Sequence, residues 1–245
     1  ETMFNSIPPV TRNIIIINVA VFVIANLLFQ DRFVGYLAAF YPFSPFFKSW
    51  QIVTHMFMHG SFMHILFNMF TLFSFGPILE NSLGEKKYLI LYFLSGLGAF
   101  FLFNLWNFVE VQQISSELQQ LGFNLNEYLS GSSVQYSGSS QSVLRQQELV
   151  GELNGIMGTP MVGASGAIFG VVAAFATLYP DAKIGIMFIP IPMKVKYVLP
   201  VVVIGSIYLG VSGNGGGIAH LAHVGGAIVG FILARIWRKH LYRFN

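Results

Sequence analysis

Gly163-Ala164-Ser165-Gly166 opens one apolar stretch of this chain, and Ala219-His220-Leu221-Ala222-His223-Val224-Gly225-Gly226 opens another about sixty residues later. A serine hydroxyl becomes a nucleophile when a base removes its proton, and imidazole, which titrates near neutral pH, suits that task. Ser165 and His223 are the candidate pair. His64 and Asn68 lie four apart in a third apolar stretch and so share one face of a helix. With the backbone N–H of Ser165, these two donors suit an oxyanion that forms when a serine attacks a carbonyl carbon. Two plainer readings stand beside this one. Ser165 is also a small residue of the kind that lets membrane helices pack, and His64 and Asn68 also suit interhelical hydrogen bonds.

The elements that must position these groups follow from composition. The chain has 245 residues, 54% hydrophobic and 9% charged. Soluble domains carry about 25% charged residues, so most of this surface faces something other than water. The fold class expected is an all-α polytopic membrane protein. A bilayer span takes about 20 apolar residues, and six stretches qualify, near 13–30, 62–80, 88–109, 161–179, 197–212 and 219–237. The first has no small-residue cleavage site after it and reads as an uncleaved span. Tyr36 to Gly60, rich in Phe, Tyr and Pro, reads as a segment lying in the membrane interface. Residues 110–158, rich in Ser, Gln, Asn and Glu, form a polar extramembrane insert with weak amphipathic patterns near 116–129 and 142–154. The whole is read as a single membrane domain, 1–245, carrying that insert.

Lys and Arg set the orientation. With the N-terminus inside, Arg12, Lys86, Lys87, Lys183, Lys194 and Lys196 fall on the inner side with the basic C-terminal tail, against Arg32, Lys48 and Arg145 outside. Both termini are then cytoplasmic, and Ser165 and His223 share the outer leaflet. Close approach of their two helices is supplied by small residues. Gly166, Gly170 and Ala174 form one stripe, and Ala222, Gly226, Gly230 and Ala234 another. Such stripes let helices meet backbone to backbone.

His64-x-x-x-Asn68, Gly163-x-Ser165-Gly166 and His223-x-x-Gly226-x-x-x-Gly230, in this order on the second, fourth and sixth spans, resemble the rhomboid family of intramembrane serine proteases. The resemblance covers all six spans but not the insert. It implies a six-helix bundle in which Ser165 is the nucleophile and His223 the general base and acid, a dyad without a carboxylate. His64, Asn68 and the Ser165 N–H would form the oxyanion hole. Phe169 stands where family members often carry Tyr, and would stack on His223 without that hydroxyl. Trp50-Gln51 stands where many relatives carry Trp-Arg. The substrates implied are transmembrane helices of other proteins, cut near the outer interface with a small residue before the scissile bond. The implied location is a bacterial cytoplasmic membrane.

His220 competes with His223 for the role of base, and the glycine spacing favours His223. His55 and His59, four apart, lack the Glu of a zincin motif, so no metal or other cofactor is expected. No nucleic-acid partner is expected, and the sequence leaves the oligomeric state open. Gly213-Asn214-Gly215-Gly216-Gly217, between the fifth and sixth spans, is expected to act as a mobile cap. The alternative function is a catalytically silent rhomboid-like protein that binds or chaperones membrane helices. A transporter would place charge at mid-membrane, and no acidic residue lies in the middle of any span.

Overall fold

The computed structural model describes residues 7–26, 31–132, 135–186, 189–211 and 218–241. The glycine-rich segment Gly213–Gly217 lies outside the described residues. The chain divides into two compact units. One comprises Glu1–Ala39, Ser49–Phe103 and Met161–Asn245, the other Phe40–Lys48 and Asn104–Pro160.

The first unit is helical, as its composition requires. In order it holds α1 (Pro9–Ile24), α2 (Asp31–Leu37), α3 (Gln51–Thr54), a 3₁₀ turn (His55–Phe57), α4 (Phe62–Leu83) and the first half of α5 (Glu85–Gln120). After the second unit come α8 (Ser165–Leu178), β1 (Lys183–Ile186), β2 (Ile189–Lys194), α9 (Val195–Val211) and α10 (Ile218–Leu241). Among the described residues, three helices contain stretches long and apolar enough to cross a bilayer, at Phe62–Leu83, Glu85–Gln120 and His220–Arg238. Pro9–Ile24, Ser165–Leu178 and Val195–Gly205 are shorter apolar helices. The hairpin β1–β2, where Lys183 pairs with Lys194, was not foreseen from periodicity. Its strands are short and share Ile, Met and Pro with the neighbouring apolar stretch.

Several helix ends have an identifiable cause. Pro9 starts α1, where a missing N–H costs nothing. The donors that follow are taken by a buried carboxylate seventy residues on. Val10 N–H donates to Glu80 Oε1 at 2.8 Å, while the Thr11 N–H and hydroxyl donate to Oε2, each at 2.7 Å. Glu80 is 3% exposed, so the last turns of α4 and the first turn of α1 are fastened by charge-assisted bonds to otherwise orphaned amides. Ser61 caps α4 by accepting from the His64 N–H. Gly84, at φ +80°, ends it and lets α5 begin at once.

α8 is buried on nearly every side, as an apolar, small-residue helix should be. It packs against α4, α9 and most extensively α10. The glycine stripes make that last contact. A Cβ on Gly226 would collide with the Gly166 carbonyl, and one on Gly230 with the Gly170 carbonyl. One on Gly170 would meet Ser95 and the Gly226 carbonyl oxygen. A Cβ on Gly225 would likewise collide with the Gly98 carbonyl of α5.

The second unit holds the remainder of α5, then α6 (Leu125–Leu129) and α7 (Ser140–Gly158). The helix expected to stop near 109 runs on to Gln120, and the pattern read at 116–129 is shared between the end of α5 and the short α6. Val111, Ile114 and Leu118 continue an apolar stripe past the last membrane-like residues. Ile114 and Leu118 join Tyr41, Phe123, Leu149 and Leu153 in a small core, with Val111 packed against it. Gln146 is fully buried and donates to the carbonyls of Leu121 and Ser137. Arg145 makes paired bonds to Glu117, at 2.7 and 2.9 Å, and one to Glu148.

Four expectations follow. Gly226→Ala forces α8 and α10 apart and should cost about 1–3 kcal/mol, as overpacking does, in reversible unfolding in mixed detergent. Gly205→Ala, with open space around its Cβ, should be neutral or stabilising in the same assay. Glu80→Ala, which orphans Val10 and Thr11, should cost about 2–4 kcal/mol. The hydrogen bonds from Arg145 hold the Glu117 carboxyl below the usual carboxylate range, so this clamp is complete above that range and lost as pH falls through the lowered value. The protection of α7 amides, corrected for the intrinsic exchange rate at each pH, should therefore fall on acidification, and Arg145→Ala should abolish most of that response.

Candidate active site

Ser165 owes its place to the segment before it. Met161 and Ala39 exchange backbone bonds of 2.9 and 2.7 Å, and the Gly163 N–H donates to the His55 carbonyl at 2.9 Å. Gly163 takes φ +119°, a conformation that glycine adopts without steric penalty. A Cβ there would lie 2.8 Å from the His64 ring. The chain then turns into α8 with Ser165 as its first residue. The Ser165 N–H thus belongs to the first turn, whose donors have no acceptor within the helix.

His223 lies in the second turn of α10. Its Nε2 is 3.0 Å from Ser165 Oγ, which the close α8–α10 seam makes reachable. The Phe169 ring, one turn after Ser165, lies parallel to the imidazole at 1°, with centroids 4.2 Å apart. His220 instead meets His223 edge-on, centroids 6.0 Å apart. Among the described residues no hydrogen bond joins His223 to a carboxylate.

His64 and Asn68 line the same cavity as Ser165 and His223. Asn68 Nδ2 donates to His59 Nε2 at 3.0 Å, which leaves its second N–H for another acceptor. His59 is buried, and its ring meets His64 edge-on with centroids 5.0 Å apart. This support for Asn68 is not visible in the sequence. His59 precedes the α4 cap and shares no helical register with Asn68, so spacing carried no signal. His55 is spent elsewhere: its Nδ1 bonds the Gln51 carbonyl at 2.8 Å and its ring packs on Phe100. Gln51 is buried and donates to the Gly35 carbonyl at 3.1 Å. Trp50 Nε1 donates to the Tyr36 carbonyl, and Thr54 Oγ1 to that of Leu37, so three side chains tie α3 to α2.

The cavity in front of the Ser165–His223 pair is about 480 Å³. Its walls come from α4, α8 and α9, with Phe67, Ile168, Val172, Val198 and Val202 among them, and are almost wholly apolar. Ser165, His223, His64, Asn68 and Thr71 supply its polar groups. The arrangement can activate a hydroxyl, offer donors to a developing oxyanion and hold an apolar ligand beside both. Of the residues singled out from sequence, Ser165, His64, Asn68, Phe169 and His223 meet at this one place, and Gly166, Gly170, Gly226 and Gly230 lie in the seam beneath it.

The chain resembles known proteins over this same region. It is 35% identical over 96 residues to the rhomboid protease GlpG of Klebsiella pneumoniae (strain 342), covering 39% of this chain and 35% of the relative. It is 36% identical over 91 residues to the rhomboid protease GlpG of Salmonella choleraesuis (strain SC-B67), covering 36% of this chain and 32% of the relative. The matched stretch thus spans about a third of these curated relatives. The family profile described as the rhomboid domain matches residues 47–240, from the first loop through α10. The chain is an integral membrane protein and belongs to the rhomboid family.

Proposed function

We propose that this protein is an intramembrane serine endopeptidase that cuts transmembrane helices of other proteins. The observation that carries the reading is the 3.0 Å approach of Ser165 Oγ to His223 Nε2 at the wall of an apolar cavity. In the reaction, His223 Nε2 accepts the Ser165 proton as Oγ bonds to the scissile carbonyl carbon. The charge that forms on the carbonyl oxygen is received by the Ser165 N–H with His64 and Asn68. The imidazolium gives its proton to the leaving amine, and an acyl-enzyme remains. Water then attacks with His223 again as base, and the acid product leaves. Phe169 holds the ring plane through both transfers.

Water reaches this depth because α8 is short. Its 14 residues span about 21 Å, less than the ~30 Å of a hydrocarbon core. With its far end at the inner face, Ser165 lies below the outer surface but in reach of it. The substrate segment must unwind, since helical amides are bonded within the helix. Gly or Pro near the outer interface therefore favours cleavage. The location that suits this reading is a bacterial cytoplasmic membrane with both termini inside, an orientation that the Lys and Arg distribution supports.

A fluorophosphonate probe on the detergent-solubilised protein should label the wild type and neither Ser165→Ala nor His223→Ala. Labelling that persists in Ser165→Ala would place the nucleophile elsewhere. A folded wild type that stays unlabelled in lipid would favour a helix-binding protein without catalysis. Phe169→Ala should lower kcat on a transmembrane substrate by about tenfold or more, the scale of an aromatic contact of 0.5–1.5 kcal/mol together with lost ring alignment. Phe169→Tyr should keep most of the activity.

A further inference from the structure

A second cavity, of about 320 Å³, lies against a different face of α4, between it and the start of the chain. Leu66, Met69, Phe70 and Phe73 form one wall, and Ile7, Ile15 and Arg12 the other. Apart from the Arg12 guanidinium, every side chain in it is apolar. Phe70 is 64% exposed and Leu66 and Phe73 nearly half, on a helix apolar enough to cross a bilayer, so this face meets lipid.

Arg12 stands in the first turn of α1, at headgroup depth for a span that begins there. Its side chain makes no hydrogen bond or ion pair among the described residues. The neighbouring carboxylate, Glu80, is already committed to Val10 and Thr11. Among the described residues, this guanidinium at the edge of an apolar groove has no anion to suit its planar fork of donors. An anion carried on a long hydrocarbon chain fits the charge and the groove together.

We propose that this groove holds one phospholipid, its phosphodiester paired with Arg12 and an acyl chain laid along Leu66, Phe70 and Phe73. The eight residues from Leu66 to Phe73 give the chain a track of about 10 Å. The lipid would fill the outer angle between α1 and α4, the same helices that Glu80 joins from within.

The test is native mass spectrometry of the purified full chain in detergent, titrated with dioleoyl phosphatidylglycerol. The wild type should retain one tightly held lipid. Arg12→Gln should weaken it about tenfold, the scale of one charge-assisted hydrogen bond. Ile15→Trp, which fills the groove and leaves the charge, should weaken it comparably, and Arg12→Lys should keep part of the affinity. Glycerol 3-phosphate in millimolar excess should not displace the lipid. The proposal is overturned if the wild type holds no lipid above background, or if Arg12→Gln or Ile15→Trp binds it as the wild type does. Displacement by glycerol 3-phosphate would also overturn it, showing an anion site without a lipid groove. Circular dichroism checks each fold, and if Arg12→Gln does not fold, Ile15→Trp and Arg12→Lys decide.

Discussion

A hydroxyl on one helix and an imidazole on another meet within one hydrogen bond only if nothing bulky stands between the helices. Packed helices with ordinary side chains keep their axes about 8–10 Å apart. In α8 and α10 the spacing is set by glycine. Gly226 lies on the Gly166 carbonyl and Gly230 on that of Gly170, where no Cβ fits. Hydrophobic burial offers little drive between helices in lipid, so association rests on close van der Waals contact of this kind. The seam therefore does two things with one set of residues. It holds the bundle together and places Ser165 Oγ 3.0 Å from His223 Nε2.

Around the seam, irregular backbone is satisfied piece by piece. In a membrane protein, loops at depth survive only when their polar groups find partners within the protein. The segment before Ser165 bonds to Ala39 and His55, and the loop before α4 uses Ser61 to cap the helix that carries His64 and Asn68. Glu80 applies the same logic at the other end of α4, where a carboxylate takes up the first amides of α1. These fixtures let a polar site sit among apolar helices.

The second unit is held by different physics. Its α5 extension and α7 enclose a small core around Leu118, Leu149 and Leu153, with Arg145 paired to two carboxylates at its surface. Half-exposed ion pairs of this sort contribute little individually, so the apolar core and the buried amide of Gln146 do most of the work of ordering it.

The apolar runs, the glycine stripes and the spacing of His64, Asn68, Ser165 and His223 were all legible in the sequence, because helical periodicity and side-chain chemistry are local properties. They were enough to name the apolar helices, the packing faces and the residues that meet at the cavity. The length of α5 was legible only in hindsight, since its polar composition hid an apolar stripe that becomes meaningful once Tyr41 and α7 lie against it. The hairpin β1–β2 was not legible, since Ile, Met and Pro there serve a strand as well as an apolar span. His59 behind Asn68, the His55 carbonyl holding Gly163, and Gln51 reaching Gly35 were decided only by the tertiary structure. Each joins groups from different segments, and no period of the sequence records which backbone carbonyl or ring a folded chain will bring within 3 Å of another.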